Sequence, residues 1–124
     1  DSFAQLLKNV KPLVENQKAV AVFGEMLELG DKSAEAHREL GANAARLPFQ
    51  KCIFIGPSCK DFEAGWQSEK NENYPIILNT YKESLDLDLL SMVDKQSLVI
   101  VKGSRGGALE RIVERFDPIG FSRK

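Results

Sequence analysis

The sequence predicts an α/β domain built on a Rossmann-like, doubly wound and mostly parallel sheet with helices on both faces. Two observations predict this class. Short runs of apolar residues, typical of strands buried on both faces, alternate along the 124 residues with segments of helical periodicity. Right-handed connections between parallel strands then wind the chain over both sides of the sheet. Because the sequence has no internal repeat or linker, we expect residues 1–124 to form one domain.

Four apolar runs have the length and composition of buried strands, namely residues 19–23, 52–55, 75–78 and 98–101. Gly24 closes the first run, and Gly56 with Pro57 closes the second. The fourth run, Leu-Val-Ile-Val, is the clearest strand in the sequence. These runs predict the strands of the sheet.

Helical periodicity marks the segments around these runs. The apolar positions are Phe3, Leu6, Leu7, Val10 and Val14 in the first helix, Ala36, Leu40, Ala44 and Leu47 in the second, Leu85, Leu89, Leu90 and Val93 in the fourth, and Leu109, Ile112, Val113 and Phe116 in the last. A weaker third helix is expected over residues 60–66, cut short by Gly65 and the polar residues that follow.

The helix boundaries follow from local chemistry. Pro12 should end or bend the first helix near Lys11, because proline lacks the backbone N–H that a helix interior requires. Asp31 or Ser33 is expected to cap the second helix, and Thr80 is a possible cap for the fourth.

Composition excludes several classes of protein. The formal net charge of -1, from 17 basic and 18 acidic residues, gives no electrostatic reason to expect nucleic acid or an anionic membrane as partner. No apolar run approaches the roughly 20 residues that span a bilayer, and the first residues do not resemble a signal peptide. Two cysteines and one histidine are too few for a disulfide framework or a zinc site. We therefore expect a cytoplasmic protein.

Two loops at the predicted carboxyl ends of strands carry chemically useful residues. In parallel sheets these ends share one edge, where ligands bind. The loop of residues 24–30 places Glu25 and Glu28 between two glycines, either as solvated side chains or as a site for an ammonium group or a metal-bound water. His37, the only histidine, follows on the second helix, where a buried structural side chain is the commoner role and a site residue the alternative.

The second loop, residues 102–107, leads from the fourth strand into the last helix. Lys102 and Arg105 supply positive charge, Ser104 supplies a hydroxyl, and backbone N–H groups at a helix start attract anions. The loop has neither the Walker A pattern nor the dinucleotide fingerprint, so a small anion site and a plain glycine-rich turn are equally compatible with it. The first loop would thus form an acidic flank of the sheet edge and the second a cationic flank. Together they would suit a zwitterion, such as an amino acid or dipeptide.

Three segments in this order resemble a known family. They are residues 21–30 (Ala-Val-Phe-Gly-Glu-Met-Leu-Glu-Leu-Gly), Ala36-His37 with Gly41, and residues 101–105 (Val-Lys-Gly-Ser-Arg). Together they resemble the C-terminal domain of the Mur ligase family, closest to its D-alanyl-D-alanine-adding branch, MurF. The likeness covers nearly the whole chain, and Asp1-Ser2 resembles the end of a further motif of that family.

The resemblance implies an ATP-dependent amide ligase of peptidoglycan precursor synthesis. Such an enzyme activates the carboxylate of UDP-N-acetylmuramoyl-tripeptide as an acyl phosphate, which the amine of D-alanyl-D-alanine attacks. ATP and Mg²⁺ would be held mainly by a central domain that this sequence lacks. We accordingly expect residues 1–124 to be a fragment of a three-domain ligase that binds the dipeptide, closes over ATP, and is inactive alone.

The resemblance also implies roles for individual residues. Lys102, Ser104 and Arg105 would hold the dipeptide carboxylate. Glu25, Glu28 or His37 would lie nearer its amine, and His37 is the one catalytic candidate. Glu25 stands where the family usually has Asp, and residues 106–108 (Gly-Gly-Ala) also depart from the family pattern. The phosphate loop Gly-Thr-x-Gly-Lys-Thr and the carbamylated lysine site of the family are absent from the sequence.

Three other functions stay open. A Mur-type ligase that adds another amino acid would share the fold. A stand-alone α/β module that binds a small zwitterion would predict a native product near 13.8 kDa and ligand binding without ATP. A receiver-like signalling domain is least favoured: Glu25, Glu28 and Lys102 imitate its charges, but no strand ends in a phosphorylatable aspartate.

Overall fold

The computed structural model describes residues 2–26, 29–80, 91 and 97–103, which contain a four-stranded sheet and three helices packed on one of its faces. The helices are α1 (Ser2–Asn16), α2 (Ser33–Ala45) and α3 (Cys59–Ser68). The strands are β1 (Ala19–Gly24), β2 (Lys51–Ile55), β3 (Ile76–Leu78) and β4 (Leu98–Lys102), and a short 3-10 turn, Gly30–Lys32, precedes α2. Within these ranges, no helix is long and apolar enough to cross a membrane.

The sheet is parallel throughout, with the strand order β3-β2-β1-β4. From β1 the chain moves through α2 to β2 and through α3 to β3, whereas β4 pairs with the opposite side of β1. The strand order therefore reverses between β1 and β4, which is where open α/β sheets form their ligand crevice. The predicted α/β fold with a parallel, Rossmann-like sheet is confirmed.

The core explains why the strands are uniformly apolar. Alternate residues of β1 (Ala19, Ala21 and Phe23) pack into one cluster with side chains of all three helices. On the opposite face of the sheet, Val20 and Val22 are also fully buried. A strand buried on both faces cannot alternate polar and apolar residues, so the run at 19–23 was a reliable predictor.

Pro12 does not end the first helix, so that alternative was wrong. Helix α1 continues through Pro12 to Asn16, whose side chain donates a hydrogen bond to the carbonyl of Pro12 at 2.8 Å. The proline removes one backbone hydrogen bond, but Val10 and Val14 are buried on either side of it. Burial of this apolar face outweighs the loss of a single bond.

The predicted cap of α2 was also wrong. Asp31 lies inside the 3-10 turn, and neither it nor Ser33 caps the helix, since the N-cap position is Lys32 without a side-chain bond. The turn itself satisfies one of the first donors, because the amide of Lys32 bonds to the carbonyl of Leu29 at 3.1 Å. A preceding 3-10 turn thus replaces the side-chain cap. Leu40 and Ala44 are buried as expected, and Leu47 is buried just beyond the helix end.

Helix α3 extends from Cys59 to Ser68 and is longer than expected, because Gly65 is a packing residue and does not break it. A Cβ at Gly65 would lie 1.8 Å from the carbonyl oxygen of Arg38 on α2. A Cβ at Gly41 of α2 would lie 2.0 Å from the carbonyl oxygen of Phe62 on α3. The two helices therefore meet backbone to backbone, and each contributes a glycine.

Strands β3 and β4 match the expected runs within one residue at each end. Thr80 is described, but the helix that it was expected to cap, apart from residue 91, and the last helix, with apolar positions 85–93 and 109–116, lie outside the described residues.

Candidate functional site

The site lies where β1 and β4 end together. Phe23 of β1 is paired with Lys102 of β4, so Gly24 and Glu25 leave the sheet beside Gly103. Helices α2 and α3 both begin at this edge, because each follows the carboxyl end of a parallel strand. The edge therefore combines a carboxylate, a lysine and two helix N-termini.

Glu25 bridges the end of β1 to the start of α3. The backbone N–H of Ser58, the N-cap residue of α3, donates to Oε1 of Glu25 at 2.9 Å. The hydroxyl of Ser58 donates to Oε2 at 2.5 Å. Because the carboxylate lies at a helix N-terminus, the helix dipole favours its charge. Glu25 keeps a fifth of its side chain exposed, so the bridge is still partly accessible to solvent.

Gly56 makes room for this bridge. A Cβ at residue 56 would lie 2.8 Å from Oε1 of Glu25 and 3.0 Å from its Cβ. The amide of Gly56 also bonds to the carbonyl of Leu78 at 2.9 Å, which holds the turn after β2 against β3. A side chain at this position would push the Glu25 carboxylate away from Ser58.

His37 is fully buried, and both of its ring nitrogens have backbone partners. The N–H of Met26 donates to Nε2 at 3.0 Å. On the other side, Nδ1 lies 2.7 Å from the carbonyl oxygen of Ser33 and 3.4 Å from its hydroxyl. An edge-to-face contact with Phe54, with ring centroids 5.7 Å apart, fixes the plane of the imidazole.

Of the residues predicted for the site, the structure brings Glu25 and His37 together, with Oε2 and Nε2 3.7 Å apart. Lys102 lies half-buried at the neighbouring strand end and has an interaction of its own. Glu28, Ser104 and Arg105 lie outside the described residues. The geometry disfavours direct ligand contact for His37, because its nitrogens are occupied and its ring is not exposed.

Sequence reasoning missed Ser58 and Gly56, which lie 33 and 31 residues after Glu25 and hold its carboxylate in place. The available signal was the position of Ser58, immediately after Gly56-Pro57 and at the start of a helix, where a serine is a common capping residue. Over the described ranges, no three His, Cys, Asp or Glu residues come close enough to hold a metal ion.

A separate groove lies between α1 and α2, with a volume of about 410 Å³. Its polar lining comes from Gln5, Lys8 and Lys11 of α1 and from Asn43 and Arg46 near the end of α2. Because α2 ends where β2 is about to begin, Arg46 lies toward the amino ends of the strands. The groove is therefore distinct from the site at the carboxyl ends.

The sequence matches a known family and curated members of it. The family described as Mur ligase, glutamate ligase domain, matches residues 1–105. The UDP-N-acetylmuramoyl-tripeptide--D-alanyl-D-alanine ligase of Buchnera aphidicola is 30% identical over 85% of this chain, and that of Borreliella burgdorferi is 28% identical over 93%. The chain spans only 22% and 24% of the lengths of these two ligases.

Solved structures agree with this match. A crystal structure of MurF from Acinetobacter baumannii superposes with a TM-score of 0.69 at 26% identity, covering 89% of this chain and 24% of that one. MurF ligase from Thermotoga maritima, in complex with ADP, superposes with a TM-score of 0.64 at 28% identity, covering 92% and 25%. The chain therefore belongs to the Mur ligase family and carries the family's glutamate ligase domain.

Proposed function

We propose that this chain is the dipeptide-binding domain of an ATP-dependent ligase that adds D-alanyl-D-alanine to UDP-N-acetylmuramoyl-tripeptide in peptidoglycan precursor synthesis. The observation that carries the proposal is the pairing of Phe23 with Lys102, which puts Glu25 and Lys102 at the same edge of the sheet, where the proposed ligand crevice would lie. The two curated relatives bear the name of this activity. The chain spans about a quarter of the length of these relatives, so the whole reaction would belong to a longer protein.

The charges at the crevice suit a zwitterionic dipeptide. In the proposed complex, the cationic flank, formed by Lys102 with Ser104 and Arg105, binds the dipeptide carboxylate, since charged donors make the strongest hydrogen bonds to such groups. Glu25 and Glu28 form the acidic flank near the amine. The contribution of this chain is to hold the amine in line with the activated acyl group, which is the positional part of catalysis.

We propose that ATP and Mg²⁺ are held mainly by another domain of the longer protein. These residues contain no cluster of metal-ligating side chains, and the sequence lacks a Walker A loop. The ADP complex of the Thermotoga relative supports nucleotide use by the longer protein. We therefore propose that this domain closes over a nucleotide and a metal ion held elsewhere. The buried free thiols of Cys52 and Cys59 suit the reducing cytoplasm, which is the proposed location.

The proposal is tested by Arg105→Ala in the full-length protein. Loss of a charged hydrogen bond to the ligand should raise the KM for D-alanyl-D-alanine by about tenfold or more, while the KM for ATP stays the same. Arg46→Ala is the matched control, because it removes the same charge near the opposite edge of the sheet, where Arg46 pairs with Glu69. Steady-state kinetics with each substrate varied in turn supplies both constants.

An unchanged KM for the dipeptide in Arg105→Ala would contradict the assignment of the cationic flank. If the wild-type protein instead accepted a single amino acid in preference to the dipeptide, the ligase class would hold and the proposed substrate would be wrong. Ligand binding without any ligase activity in the full-length protein would favour the binding module.

A further inference from the structure

We propose that His37 is a positioning residue that fixes the direction in which the chain leaves β1, and that it does not contact the substrate. The effect of this role on catalysis rests on the proposed ligase function. The role itself rests on hydrogen bonds within the described residues.

The partners of His37 select a single tautomer. The N–H of Met26 can only donate, so Nε2 must carry a lone pair. The carbonyl of Ser33 can only accept, so Nδ1 must carry the proton. The ring is therefore a neutral bridge between two backbone groups, and neither nitrogen is left to accept a proton from an incoming amine.

The bridge closes a specific segment of chain. Met26 is the second residue beyond β1, and Ser33 begins α2, so His37 ties the departure of the loop to the first turn of the helix that ends it. Met26 also packs against the core, and Glu25 beside it is held by Ser58. Two consecutive residues, 25 and 26, are thus anchored to α3 and α2 respectively.

These anchors bear on the crevice directly. Glu25 lies on the proposed acidic flank, and its Oε2 atom is 3.7 Å from Nε2 of His37. A small rotation of the peptide at Met26 would change where the Glu25 carboxylate points. In catalysis, a displacement of about 1 Å at a positioning group can reduce the rate by about a hundredfold. By fixing the backbone at Met26, His37 therefore sets the direction of the neighbouring Glu25 carboxylate without contacting the substrate itself.

Two substitutions in the full-length protein separate the two hydrogen bonds. His37→Gln can place an amide oxygen near the position of Nε2 and keep the bond from Met26. His37→Asn can place an amide N–H near the position of Nδ1 and keep the bond to Ser33, but it cannot reach Met26. We expect His37→Asn to raise the KM for D-alanyl-D-alanine by about tenfold, equivalent to about 1.4 kcal/mol. In His37→Gln, the KM for D-alanyl-D-alanine should stay within about threefold of the wild-type value. The KM for ATP should change in neither variant.

A purely structural histidine would give a different pattern. Both variants would then lower the unfolding temperature and the active fraction alike, without a selective change in the dipeptide KM. A catalytic base would instead lose kcat in both variants, since neither amide titrates. Either pattern would overturn the proposal.

The nitrogen-15 spectrum of the imidazole gives a readout that does not depend on the reaction. The histidine signals lost in His37→Gln should show a protonated Nδ1 and an unprotonated Nε2, the latter coupled to the amide of Met26. The opposite tautomer, or a ring protonated on both nitrogens at neutral pH, would disprove the bridge. If the wild-type protein failed to use D-alanyl-D-alanine, the proposed function would fail, and this spectrum would still decide the bridge.

Discussion

Helices α2 and α3 are held at two places, which differ in kind. One is their direct contact with each other, and the other is the carboxyl edge of the sheet. At the helix contact, Gly41 and Gly65 bring backbone against backbone, with no space for one more carbon atom. At the sheet edge, the same two helices begin next to Glu25 and His37, which hold the chain by directional hydrogen bonds. One contact depends on the absence of side chains and the other on the identity of side chains.

This difference separates stability from function. Packing between glycines positions α2 and α3 as rigid bodies, and any added atom must move one of them. The hydrogen bonds at the sheet edge set the direction of a short loop segment, and changing one of them leaves the helices in place. Substitutions at the helix contact should therefore affect folding first, and substitutions at the edge should affect the crevice first.

The largest expected effect comes from Gly65→Ala. Its Cβ would lie 1.8 Å from the carbonyl oxygen of Arg38, a backbone atom that cannot move aside alone. We expect the free energy of unfolding to fall by about 3 kcal/mol or more, the upper range for overpacking. Urea unfolding of the chain, followed by the fluorescence of its single tryptophan, Trp66, measures the change.

Gly30→Ala is the matched control for this prediction. Gly30 has a φ of +56°, but no atom lies within 4 Å of the position that a Cβ would take there. The substitution should cost only about 1 kcal/mol, from left-handed backbone strain alone. Equal losses in the two variants would mean that helix packing contributes nothing beyond ordinary glycine conformational effects.

The second prediction concerns Glu25→Ala at the sheet edge. Removal of the carboxylate leaves the N–H and hydroxyl of Ser58 without their acceptor, and should lower the free energy of unfolding by about 2 kcal/mol, as is usual for hydrogen bonds to a charged group. Glu25→Gln keeps one amide oxygen and should lose about half as much. Thermal unfolding of both variants measures the difference, and a loss in Glu25→Ala as large as in Gly65→Ala would contradict the contrast between the two regions.

The two regions also differ in how far the sequence predicted them. The strands were predictable because burial on both faces requires continuous apolar residues, as at positions 19–23 and 98–101. The position of the strand-order reversal, between β1 and β4, was not predicted, because alternation of strands and helices does not by itself fix the strand order. In contrast, Gly65 was interpreted as a helix breaker, because nothing local to residue 65 indicates that Arg38 will pack against it.

The site was predictable in its location and only partly in its contacts. Glu25 and Lys102 follow apolar strands, so their shared edge could be expected. The bond from Ser58 to Glu25 spans 33 residues and depends on how closely β1 and β2 end, which the sequence does not encode locally. The partners of His37 are backbone atoms, which carry no sequence signature at all.

A smaller effect on stability is expected from ionisation of the thiol of Cys52, which lies in β2 beneath the helices. Complete burial raises the pKa of its thiol well above 9.0, its ordinary value. Below pH 9 the thiol is protonated in both states, so its full contribution to stability is present. Above pH 9 the unfolded chain loses the proton and the folded chain keeps it, so stability should fall by about 1.4 kcal/mol per pH unit.

Unfolding measured from pH 8 to 10.5 in wild type and in Cys52→Ala checks this slope. The variant should be less stable at pH 8, because a small cavity is left, but its stability should fall less steeply above pH 9. Parallel slopes in the two proteins would show that the Cys52 thiol ionises in the folded state as readily as in the unfolded chain.

The smallest effect should come from the exposed ion pair of Arg46 and Glu69, which joins the C-cap residues of α2 and α3. The guanidinium makes two hydrogen bonds of 3.0 Å to the carboxylate, and this bonding raises the pKa of Arg46. Water and salt screen such a pair, so Glu69→Gln should leave the unfolding midpoint almost unchanged, and added salt should remove what difference there is. A large loss in Glu69→Gln, persisting at high salt, would mean that the helix ends are held by charge. The glycine contact alone would then not explain how α2 and α3 are held together.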